Sequence, residues 1–115
     1  MTNPMRGQVE IELGGKSRSC RLTVDSLIKI ETELDRGILA ITQKLSEADI
    51  RLNDLCVILL YAMRGGGNDL QLDDVKKVVQ QAGIVQACQA VAELLTLTLS
   101  DPEEEAEEKK VEAGN

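Results

Sequence analysis

The chain has 115 residues, 43% hydrophobic and 29% charged, with 13 basic side chains against 20 acidic ones for a net charge of −7. That is enough for one domain with a modest core and too little for two, and the acidic balance argues against a partner made of nucleic acid or anionic lipid. His, Trp and Phe are absent and Tyr61 is the single aromatic residue, which removes the commonest neutral-pH proton shuttle and nearly every ring that base stacking uses.

Residues 8–22 read as a β-hairpin. Val9, Ile11 and Leu13 alternate with Gln8, Glu10 and Glu12, the two-residue period of a strand with one buried face. Gly14-Gly15 offers the positive φ angles of a two-residue turn, and Lys16 to Leu22 returns as the second strand. That register sets Val9 opposite Cys20, Ile11 opposite Arg18 and Leu13 opposite Lys16, so one strand is apolar inward and the other only partly so. Such a hairpin is not stable alone and has to pack on helices from the rest of the chain. Lys16, Arg18 and Arg21 form the one cationic patch, read as a charged strand edge or as a contact for an acidic partner or the chain's own acidic end.

From Thr23 the period becomes 3.6, and helices fill residues 24–99. Thr23 caps a helix from Val24 to about Asp35, with Asp25 in its first turn and Leu27, Ile30 and Leu34 on one face; Gly37 is expected to end it. Ile38 to Leu45 suggests a shorter second helix. The third, from about Leu52 to Arg64, contains the nine-residue apolar run Leu55 to Met63. Apolar all round, it should be the central helix, and its run is less than half a bilayer span, so no membrane is expected. Arg64-Gly65-Gly66-Gly67 reads as a helix stop and flexible link, because no Lys-Ser or Lys-Thr comes after it and a P-loop succeeds a strand. Asp73 and Asp74 open a fourth helix running to Gln81, with Val75, Val78 and Val79 inward and Gly83 as the stop. Ile84 to Leu99 is the fifth, and its apolar surface is broader than a helix capping a small core requires. Leu95 to Leu99 also alternates as a strand would.

The folded domain is expected to end near Ser100. Residues 101–115 carry seven acids and two Lys for a net −5, with nothing to bury and strong self-repulsion, the composition of a disordered acidic tail. The fold class expected is therefore α+β, mostly α: one domain over 1–100, with the hairpin packed on four to five helices and a disordered tail over 101–115.

No arrangement of residues points to catalysis, to a metal or to any other cofactor. Cys20, Cys56 and Cys88 lack the close spacing of a thiolate site and have no His to complete one. Three unpaired thiols without a signal peptide fit a reducing cytoplasm, and with no base beside them they read as buried small apolar residues. Asp69, Asp73 and Asp74 lack EF-hand spacing. The pairs Glu10 and Glu12, and Glu31 and Asp35, fall on solvent faces with no burial to raise a pKa.

Taken in order, Arg6-Gly7-Gln8-Val9-Glu10-Ile11-Glu12-Leu13 with Gly15-Lys16, then Arg21-Leu22-Thr23 opening a helix that contains Ile30-Glu31, resemble the start of the small tail assembly chaperones of gene transfer agents and long-tailed phages. The similarity continues through Leu52-Asn53-Asp54-Leu55, Met63-Arg64-Gly65-Gly66-Gly67, Asp73-Asp74-Val75 and Gln81-Ala82-Gly83. Arg18 stands where that family usually has a bulky apolar residue, and Leu60 or Tyr61 where it often has Trp. The resemblance implies a non-enzymatic factor that coats the long hydrophobic tape measure protein and helps recruit tail tube protein. On that reading the last helix supplies the partner surface, with Val85, Val91, Leu95 and Leu99 as its candidate residues; the same apolar excess would also suit a homo-oligomer. The rival reading is a small acidic helical adaptor or DNA-mimic regulator.

Overall fold

The computed structural model describes residues 8–100; the acidic stretch 101–115 and residues 1–7 lie outside the described residues. Two strands, β1 (Val9–Leu13) and β2 (Lys16–Cys20), are followed by five helices: α1 (Val24–Leu34), α2 (Ile38–Ser46), α3 (Leu52–Gly65), α4 (Leu72–Ala82) and α5 (Ile84–Leu99). This is the mostly helical α+β class that the period change at Thr23 anticipates.

The strands pair antiparallel in the register expected, Val9 with Cys20, Ile11 with Arg18 and Leu13 with Lys16. Gly14 and Gly15 both have positive φ, 64° and 81°, which the two-residue turn requires. Ile11, Leu13 and Cys20 are buried. Arg18 shares their face and stays half-exposed by turning its Nε to donate to the Leu13 carbonyl at 3.3 Å, so this cation is drawn into the hairpin's own backbone.

Thr23 caps α1, its Oγ1 accepting from the Ser26 N–H at 3.0 Å. The helix ends earlier than Gly37: Asp35, at φ +56°, adopts the left-handed C-cap conformation, which a short polar side chain tolerates better than most. Gly37 instead begins α2. It has no side chain to cap with, and Glu31 fills that role from α1, its Oε2 accepting from the Ile38 N–H at 2.7 Å. Glu31 is thus a half-buried cap and not the solvent-face carboxylate its spacing suggested.

The central helix is α3. Residues Leu55 to Leu60, Ala62 and Met63 are all buried in it, and α1, α4, α5 and β2 pack around it. Burial on every side is why its sequence shows an unbroken apolar run. At its C-terminal end Gly65 and Gly66 lie against the chain leaving β2. A Cβ on Gly65 would strike the Arg21 carbonyl oxygen, and one on Gly66 the Ser19 carbonyl oxygen. Two hydrogen bonds fix the approach: Arg21 N–H donates to Ala62 O at 2.8 Å, and Asn68 Nδ2 donates to Ser19 O at 2.7 Å. Gly65 and Gly66 are therefore a packing surface as well as a helix stop, which corrects their reading as part of a flexible link.

Asp74 caps α4 by accepting from the Gln71 N–H at 2.9 Å. At Gly83, with φ +94°, the chain leaves α4 and enters α5, and the two helices bend by 114°. No single helix among the described residues is long and apolar enough to cross a membrane. The alternating Leu95 to Leu99 segment is helical, because Leu94 and Leu95 are adjacent core residues, a placement that helical periodicity allows and strand alternation does not.

Candidate functional site

The four residues expected to form the partner surface do not lie together. Val91 and Leu95 are fully buried in the core, whereas Val85 is 71% exposed and Leu99 is 37% exposed. Val85 sits in the first turn of α5 and Leu99 at its end, about 20 Å apart at 1.5 Å per residue. The continuous stripe is corrected on that account. Val91 and Leu95 are held among β1, α2, α3 and α4, which all pack on α5, and have no surface left to offer.

What remains open is the start of α5. There the first turn of α3, the last turns of α4 and the first turn of α5 enclose a groove of about 600 Å³, lined by Leu52, Asn53, Cys56, Lys76, Val79, Gln80, Gly83 and Ile84. Cys56 and Val79 are buried and form its floor; Leu52 and Ile84, each about half-exposed, form apolar walls. Asn53, Lys76 and Gln80 make a polar rim. Two causes leave this end unfilled. The sharp bend at Gly83 carries α5 away from the axis of α4, and the apolar side chains at positions 52 and 84 begin their helices, with no preceding turn to cover them. Val85 extends the apolar surface beyond the groove.

A second, smaller cleft of about 220 Å³ is lined by Arg36, Ile41, Lys44, Asp49, Ile50, Arg51 and Asp54. Its charges are mixed, and Lys44 already pairs with Asp49 at 3.3 Å.

The groups that resemble nucleophiles are shifted away from reactivity. Burial pushes the Cys20 thiol up to about 11, with the Glu10 carboxylate adding to the shift and Arg18 opposing it. Cys56 is raised by burial, with the Lys76 ammonium opposing. Tyr61 is raised by its hydrogen bond to Glu33, with burial adding. A thiol held protonated is a poor nucleophile and a poor metal ligand. Among the described residues no group of three His, Cys, Asp or Glu side chains could hold a metal ion. The groove is thus an aliphatic trough with a polar rim.

Of the four residues expected at a partner surface, Val91 and Leu95 lie in the core instead. The groove is lined by Leu52, Cys56, Val79 and Ile84, none of which the sequence reading singled out as a candidate site residue. For Leu52 and Ile84 the signal was an apolar residue at a helix start that no local partner could cover, and it becomes legible only once the angle between α4 and α5 is known.

No match was found among curated proteins or among solved structures. Residues 6–101, which include every described residue, match the family described as phage tail tube protein, GTA-gp10. With a match of that length, the chain belongs to this phage tail family.

Proposed function

We propose that the protein is a non-enzymatic tail assembly chaperone that acts in the cytoplasm, shields the apolar segments of a tape measure protein and helps bring tail tube subunits to it. The observation that carries this reading is the uncovered apolar groove at the start of α5, where the next residue of the helix, Val85, is also exposed. A shallow aliphatic trough with no aromatic anchor suits helix-in-groove binding of modest strength per copy, which a coat that is later displaced requires. The marked negative charge of the chain favours solubility of a client covered in many copies.

Co-expression with the cognate tape measure protein tests this. The client should stay soluble with the protein present and precipitate without it, and finished tails should lack the chain. The family description itself favours a second reading, a subunit of the tail tube, and quantitative mass spectrometry of purified tails separates the two: many copies per tail would establish the tube subunit. Truncation after Ser100 addresses the acidic-mimic alternative, since a mimic would lose all partner binding and the chaperone would keep it.

A further inference from the structure

We infer that the groove between α3, α4 and α5 receives an amphipathic helix from another protein whose aliphatic stripe is flanked by a carboxylate, and that Lys76 selects that flank. The inference rests on the proposed chaperone role and names the chemistry of the segment it protects. Among the described residues lining the groove, Lys76 is the one charged side chain, in a chain whose net charge is −7. Its ion-pair partner on α4, Asp73, is 3.9 Å away and highly exposed, a long contact that an incoming carboxylate can displace. The Lys76 ammonium also acts electrostatically on Cys56 at the groove floor, so its charge is felt inside the trough.

The occupant is not the chain's own end. Residues 101–115 offer Pro102, Ala106, Val111 and Ala113 among seven acids, and residues 1–7 offer Met1, Pro4 and Met5; neither stretch carries the aliphatic stripe at i, i+3 and i+4 that fills a helix-binding groove. A second copy of the chain is the rival occupant, and the self-association outcome of the test separates it from a foreign helix.

The test uses the full chain and two helical peptides of equal length with the same Leu stripe, one flanked by Glu and the other by Lys, with fluorescence anisotropy as the readout at about 0.15 M salt, where charges more than about 8 Å away are largely screened. The wild-type protein should bind the Glu-flanked peptide about threefold to fivefold more tightly, the range of an exposed ion pair. Lys76→Glu should reverse that preference. Ile84→Asp, at an exposed first-turn position where an acid suits the helix, should weaken both peptides at least tenfold with the melting temperature unchanged. Equal binding of the two peptides, no reversal in Lys76→Glu, or conversion of a self-associated wild type to monomers by Ile84→Asp would each overturn the inference. Its failure is distinct from failure of the chaperone role: a wild-type protein that keeps its client soluble, and does so equally well as Lys76→Glu and Ile84→Asp, refutes the groove assignment alone.

Discussion

At its C-terminal end α3 is closed by backbone against backbone, with Gly65 and Gly66 pressed on the carbonyls of Arg21 and Ser19 and Asn68 bonded across the junction. At its N-terminal end the same helix faces an open trough walled by Leu52 and Ile84. The first end has small residues and satisfied polar groups, so it tolerates no added atom. The second has large apolar side chains and unfilled volume, so it tolerates change and has surface to share. Close packing is thus concentrated where the hairpin docks, and uncovered apolar surface where α4 turns into α5.

If that division is right, substitutions should sort by location. The largest loss should come from a core residue that the family resemblance had offered for the partner surface: Leu95→Ala should cost roughly 3 to 4 kcal/mol, a fall in melting temperature of about 12–30 °C, measured by calorimetry. A loss under about 1 kcal/mol would mean that α5 is not seated as described. Gly66→Ala should cost about 2–3 kcal/mol because its methyl group meets a carbonyl that the hairpin cannot withdraw; a neutral result would show that the closed end can relax.

Alkaline pH probes the same end through Cys20. Its thiol is raised from 9.0 to about 11 in the folded protein, so between those values the unfolded chain has lost a proton that the native chain keeps. Stability from this group is therefore full below about pH 9 and declines as pH rises toward 11, by roughly 2 kcal/mol. Denaturant titrations at the two ends of that window should show the decline in the wild type and a shallower one in Cys20→Ala; parallel slopes would contradict the burial of this thiol. Asn68→Ala removes the bonds to Ser19 O and Met63 O and should cost about 1–2 kcal/mol. The smallest effect belongs to the open end: Val85→Ser should change stability by less than about 0.5 kcal/mol while lowering the amount of client kept soluble. A large stability loss there would erase the contrast between the two ends.

Much of this architecture was already visible in local patterns. The hairpin register follows from the alternation of Val9, Ile11 and Leu13 and from the shape of Gly14-Gly15, the start of α1 from Thr23, and the centrality of α3 from an apolar run with no polar face. Each of these depends on atoms within a few residues of one another. Three features were hidden for the opposite reason. Glu31 caps α2 across a turn that ends at Asp35 and not at Gly37, so its role depends on where α1 actually stops. Gly65 and Gly66 are required by a chain more than forty residues away. Val91 and Leu95 are as apolar as Val85 and Ile84, and composition cannot separate residues that differ only in what is packed against them.

The amino-acid order alone determined the element types, the strand register, the buried central helix and an aliphatic surplus in α5, because periodicity and turn chemistry act over short range. Which side chains of that surplus meet water was decided by the 114° bend at Gly83 and by the packing of β1, α2, α3 and α4 on α5. An angle between helices is set by all the side chains at their contact at once, and so no single stretch of sequence contains it.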